Sequence, residues 1–147
     1  MVDNVMKLKV ESLSRCVSRI EQKMPLGIEQ LMNDFDIQDI ITLNLERAVQ
    51  QCIDIAMIAL SNENAAIPRS MSEAFEILAQ KNIISADTSV RMKKAVGFRN
   101  IAVHAYRTID WEIVWKIITV HLNDFRTFAS EILSYPHNDT DTSLPVK

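Results

Sequence analysis

The stretch Gly97-Phe98-Arg99-Asn100-Ile101-Ala102-Val103-His104-Ala105-Tyr106 brings three reactive side chains close together in sequence. They are a guanidinium that is always charged, an imidazole that can titrate near neutral pH, and a phenol. Such a set suits cleavage of an RNA phosphodiester without a metal. That reaction needs a base for the 2′-hydroxyl proton, an acid for the leaving oxygen, and a cation for the charge on the phosphoryl group. His104 can serve the two proton roles. Arg99 can serve the third through paired N–H donors. Asn100 can orient either of them or hold a phosphate oxygen. Each residue type is common, and the same histidine also reads as a structural group bonded at a helix end.

Helix geometry restricts how the set can work. On an uninterrupted helix Arg99 and His104, five residues apart, lie about 140° apart around the axis and share no face, whereas Arg99 and Tyr106 do share one. Two arrangements bring Arg99 and His104 to a common ligand: the helix ends or kinks near His104, or two copies of the stretch face each other. The polar run Tyr106-Arg107-Thr108, followed by the capping residue Asp110, predicts that the helix ends here, with His104 at its C-terminus.

The elements that must hold this stretch read as helices. The chain has 147 residues, enough for one domain with a real core. Only two glycines and four prolines interrupt a sequence rich in helix formers, which predicts an all-α fold. No apolar run reaches the roughly 18 residues of a membrane span, and the N-terminus lacks signal-peptide architecture. Cys16 and Cys52 lie in helical apolar patterns with no metal-ligand spacing, so they read as reduced core thiols of a cytoplasmic protein. No metal site or cofactor site is expected, and the methionines read as core filler.

The net charge of −3 is unevenly distributed. Acids dominate from Glu29 to Glu76. From Ile77 to Ile109 the bases Lys81, Arg91, Lys93, Lys94, Arg99 and Arg107 face Asp87 alone. A basic segment carrying the reactive stretch suits an anionic ligand such as nucleic acid. It equally suits a helix face that pairs with acidic helices of the same molecule.

Taken in order, the first helix is predicted over Asn4 to Lys23, with Leu8, Leu13, Cys16, Val17, Ile20 and Met24 inward. A turn at Met24-Pro25-Leu26-Gly27 and a short helical segment at Ile28 to Asp34 follow. The second long helix, Asp36 to Ser61, has a wide apolar stripe and should be central. Asp54 within it is a candidate second carboxylate behind Arg99 or His104, or else an exposed or locally paired acid. Ser70 and Glu73 have capping-box spacing and open a helix with Met71, Ala74, Phe75 and Leu78 inward. Ser85 or Asp87 caps the next helix, in which Val90, Lys94, Val96-Gly97 and Ile101 continue the pattern. Asp110 caps the last one, Trp111 to Leu133, with Ile113, Ile117, Val120, Phe125, Phe128 and Ile132 inward. Trp111 and Trp115 share a face and read as anchors for the bundle or a dimer; His121 reads as structural or exposed. The expected architecture is a single-domain antiparallel bundle over residues 1–133, with four long helices and one or more short ones. A flexible tail is expected over 134–147, including His137.

The pattern Arg99-x4-His104-x-Tyr106, with Gly97-Phe98 before it and Ile109-Asp110 after it, resembles the signature of the HepT-like ribonuclease toxins of the HEPN superfamily. Asn44 to Asp54 resembles that family's central helix, and Pro68 to Leu78 the start of its next one. The resemblance covers about Asp36 to Leu133. It implies a HEPN-like helical homodimer with the motif in a cleft at the two-fold interface, where Arg99 and His104 match the catalytic pair and Asn100 the polar residue after the arginine. It implies a metal-independent endoribonuclease acting on cellular RNA, tRNA or mRNA, as the toxin of a toxin–antitoxin pair. The implied partner is an MntA-type nucleotidyltransferase antitoxin that adds AMP to Tyr106 and so silences the toxin. A phenol beside phosphate-binding residues suits that role, because each AMP puts anionic phosphate where substrate phosphate would sit. The alternative is a non-catalytic module that binds a nucleotide, RNA or a partner in the same basic groove.

Overall fold

Asp34 starts the longest helix by accepting a hydrogen bond from the Ile37 N–H at 3.1 Å, one of the donors a helix N-terminus leaves unpaired. The computed structural model describes residues 4–136, and all of its regular elements are helical. They are α1 (Asn4–Gln22), α2 (Ile28–Asn33), α3 (Phe35–Asn62), α4 (Met71–Gln80), α5 (Ala86–His104), α6 (Trp111–Lys116) and α7 (Asn123–Ser134). A 3-10 turn, Tyr106–Thr108, separates α5 from α6, and a π-helical turn, Ile117–His121, joins α6 to α7. Ile117 and Leu122 keep right-handed helical backbone, so α6, the π turn and α7 form the fourth long rod of the bundle.

α3 is the axis of the molecule. Ile41, Leu45, Ala48, Cys52, Ile55, Ala56 and Ala59 along it are buried, and α1, α4, α5 and α7 pack around it. α1 runs antiparallel to α3: Lys9 near the start of one meets Asp54 near the end of the other, Nζ to Oδ2 at 3.0 Å. Phe75 of α4 and Phe128 of α7 meet edge to face in the core, with ring centroids 5.6 Å apart. The buried Gln38 amide donates to the Leu31 and Met32 carbonyls at 2.8 and 3.1 Å, satisfying the end of α2. Both cysteines are free and buried, and burial pushes both thiols up from their ordinary range.

The predicted caps Ser70, Ser85 and Asp110 form, accepting from the N–H groups of Glu73, Thr88 and Glu112. Ser85, not Asp87, starts α5. That start is also held by Glu131 of α7, which accepts from the Ser85 N–H at 2.7 Å and the Thr88 hydroxyl at 2.8 Å. A carboxylate at the positive end of a helix is favourable. Glu131→Ala is therefore expected to destabilise the fold by about 1–2 kcal/mol, read by urea unfolding.

Several inward assignments are corrected. Leu8 is 63% exposed, because Met6, Leu13, Val17 and Ile20 define the buried stripe of α1 and Leu8 lies on the other side. Met71 is exposed at the start of α4, while Ala74, Phe75 and Leu78 are buried as expected. On the last rod Val114, Ile118 and Leu122 are buried in place of Ile113 and Val120. The doublet Ile117-Ile118 offers two faces, and Val114, Ile118, Leu122 and Phe125 make the single continuous stripe there. On α5 the inward residues are Thr88, Ser89, Met92, Val96 and Ala102, whereas Val90 and Ile101 are exposed. The two tryptophans pack against the core as anchors, and His121 is part-exposed with Nδ1 3.4 Å from Asp124. At the far end the Tyr135 hydroxyl donates to Glu63 at 3.2 Å. The expected tail from His137 onward lies outside the described residues. None of the helices among the described residues is long and apolar enough to cross a membrane.

Candidate functional site at the end of the fifth helix

α5 ends at His104. Its cap residue Ala105 donates its N–H to the Ile101 carbonyl at 2.7 Å, and the chain then tightens into the 3-10 turn. Thr108 holds that turn twice, its N–H and its hydroxyl both donating to the Ala105 carbonyl at 2.8 and 2.7 Å. Ile109 is buried and pins the turn to the core. His104 is thus the last helical residue, as the sequence predicts, and Tyr106 rides on a separate turn.

Arg99 is half-buried on the side of α5 that faces α4, where its guanidinium lies 4.0 Å from the Met71 sulfur. No carboxylate pairs with it among the described residues. His104 and Asn100 are exposed. Since Arg99 and His104 belong to one regular helix, they stand about 140° apart around its axis. A single chain does not bring them together on one face. Cavities of about 570 Å³ between α1 and α3 and about 500 Å³ between α5 and α6 are lined by residues other than Arg99, Asn100, His104 and Tyr106.

Tyr106 is tied to α3. Its hydroxyl donates to Asp39 Oδ1 at 2.7 Å, and its ring meets the edge of Trp111 at 6.1 Å between centroids. Burial, the Asp39 hydrogen bond and the Asp39 charge push the phenol up to about 12. The buried Thr42 hydroxyl beside it, which makes no well-formed hydrogen bond, opposes that rise, and Glu46 adds to it. Because this value lies above the usual phenol range near 10, the folded chain favours the neutral form. The resulting stability is present below about pH 10 and is lost as pH rises through about 12.

Asp54 does not stand behind Arg99 or His104. Its two oxygens are taken by Lys9 at 3.0 Å and the Gln50 amide at 2.9 Å. The acid that reaches the motif is Asp39, which the sequence pattern did not single out. Its available signal was the polar spacing Asp39, Thr42 and Glu46 on one side of an otherwise apolar helix. A basic concavity was also hidden: Arg15 and Arg19 of α1 and Arg47 of α3 line the cavity between those helices, far apart in sequence. Of the basic segment, Lys93 pairs with Glu76 and Arg91 with Asp124, so the pairing reading holds for these two bases.

The exposed face of α5 carries a pattern of its own. Val90, Gly97, Ile101 and His104 recur at intervals of seven, four and three, and fall within about 60° of one another. Val90 is 49% and Ile101 46% exposed. A Cβ built on Gly97 would meet nothing within 4 Å. Nothing among the described residues requires a glycine there, although glycine in a helix costs about 1 kcal/mol relative to alanine.

Comparison with known proteins matches residues 13–132 to the model of the family "Ribonuclease HepT-like". The mRNA nuclease HepT of Shewanella oneidensis is 40% identical over 124 residues, covering 84% of this chain and 92% of that protein. The tRNA nuclease HepT of Aphanizomenon flos-aquae is 24% identical over 131 residues, covering 89% of each. The tri-AMPylated HEPN toxin of Shewanella oneidensis, solved in complex with its MNT antitoxin, superposes with a TM-score of 0.85 at 38% identity. That match covers 90% of this chain and 98% of the toxin. With a model match over most of its length and a close relative at 40% identity, the chain belongs to the HepT-like ribonuclease family.

Proposed function

We propose that this protein is the toxin of a toxin–antitoxin pair, an endoribonuclease that works as a homodimer and is silenced by AMP addition to Tyr106. The observation that carries the reading is the Arg99 guanidinium, which meets no carboxylate among the described residues, on the same helix end as the exposed His104, within the Arg-x4-His-x-Tyr pattern of a ribonuclease family. Arg99 and Asn100 hold the scissile phosphate, and Arg99 offsets the charge that builds on its oxygens. His104 moves the protons.

The two groups point to different sides of one helix, so the proposed reaction draws on a second copy. The face Val90, Gly97, Ile101 and His104 suits close packing of two α5 helices about a two-fold axis, because glycine lets backbones approach. Crossing there gathers the two His104 side chains at the interface, with each Arg99 on the α4 side of its own helix. Gly97→Ala is expected to stabilise the helix by about 0.5–1 kcal/mol while weakening the dimer, read by unfolding and by sedimentation respectively.

The partner is a nucleotidyltransferase of the MNT type, as in the Shewanella oneidensis complex. The substrate is cellular RNA: one relative is an mRNA nuclease and the other a tRNA nuclease. The test is cleavage of tRNA and mRNA by the purified, unmodified protein in excess chelator. Cleavage is expected. Tight RNA binding without turnover would replace the nuclease by a binding module.

A further inference from the structure

We propose that Asp39 is the base that takes the proton of Tyr106 when AMP is transferred to it. The inference rests on the assignment of Tyr106 as the AMP acceptor made above. The Tyr106 hydroxyl donates to Asp39 Oδ1 at 2.7 Å, the reach at which a base removes a proton. The two residues are 67 positions apart in the chain, so the fold itself builds the contact. Trp111 meets the ring edge-on and fixes its direction. Asp39 also differs from Asp54 in one decisive respect. Lys9 neutralises Asp54, whereas no lysine or arginine among the described residues pairs with Asp39. Asp39 is exposed, so solvent reaches it.

The transfer balances. Tyr106 Oη attacks the α-phosphorus of ATP, which the antitoxin presents with its divalent cation. The Oη–phosphorus bond forms as the bond from that phosphorus to the bridging oxygen of the β-phosphate breaks. Pyrophosphate leaves, and the phenol proton passes to Asp39 and then to water. The phenol becomes strongly acidic only as the new bond forms, so a base already in place does the work that prior ionisation cannot. Tyr106 has one phenol oxygen. A second or third AMP at this residue must therefore be joined to the preceding AMP, and Asp39 acts in the first addition alone.

The test follows AMP addition by intact mass. Full-length chains carrying His104→Ala, so that they can be produced without the antitoxin, are mixed with that antitoxin and saturating ATP. Asp39→Asn is expected to slow the first addition about 10²–10⁴-fold in kcat, with the KM for ATP unchanged. Its rate should then climb about tenfold per pH unit near neutrality, as attack by the rare phenolate takes over, while the rate with Asp39 intact does not. Asp39→Glu should recover part of the rate, and later additions should proceed at normal speed once the first is made. A first addition within a few-fold of the Asp39 protein, with the same pH profile, would overturn the role of Asp39. Modification that persists in Tyr106→Phe, or none on the parent chain, would instead overturn the acceptor assignment and this inference with it.

Discussion

His104→Ala is expected to lower RNA cleavage by about 10²–10⁴-fold and to leave the fold and the dimer intact. The effect is large because one imidazole covers proton removal and proton donation in the proposed reaction, and no other histidine lies near it in the helix. His121 belongs to the last rod and faces Asp124. The fold should survive because His104 is exposed and the cap hydrogen bond that ends α5 is made by the Ala105 backbone. Arg99→Ala should cost about 10²–10³-fold through lost charge stabilisation. Arg99→Lys should recover only part of that loss, since an ammonium cannot form the paired contact. The double variant should fall little below the worse single one, because the two groups act on one transition state. Activity of His104→Ala close to that of the parent would dismiss the mechanism.

The largest effect on stability is expected at Phe128→Ala, a loss of about 3–5 kcal/mol. Phe128 is fully buried, and its ring meets Phe75 edge to face, so truncation removes core contact area and an aromatic pair together. The cavity would open where α4 and α7 meet, with α3 beside them. A melting temperature lower by about 10 °C is the corresponding result for a chain of this size. Since the motif turn is pinned separately by Ile109, activity per folded molecule should change little at temperatures where the variant remains folded.

The parts of the fold that were legible in the sequence are those that local chemistry decides. Ser70, Ser85 and Asp110 cap helices because a short side-chain oxygen can reach a free backbone N–H two or three residues on, and nothing distant has to agree. The helix end at His104 was legible for the same reason. Faces were less legible where apolar residues serve a surface. Val90 and Ile101 fit a helical period, yet the period cannot say whether a stripe meets the core of its own chain or something outside it. The Asp39–Tyr106 bond was not legible, because it depends on how a turn packs beside α3. The charge pattern stayed ambiguous because Lys93 and Arg91 found acids among the described residues and Arg99 did not.

The turn that carries Tyr106 has a further consequence for how the protein is born. Part of its support comes from the sequence after it: Trp111 packs against the ring, Val114, Ile118 and Phe125 of the last rod are buried in the core, and Glu131 clamps the far end of the motif helix. Synthesis proceeds from the N-terminus at about 5–20 residues per second. A ribosome therefore delivers Arg99 and His104 seconds before the rod that backs them. Through that interval the growing chain carries the motif helix without the rod that backs it, and the proposed dimer can form from finished motif turns only after that rod arrives.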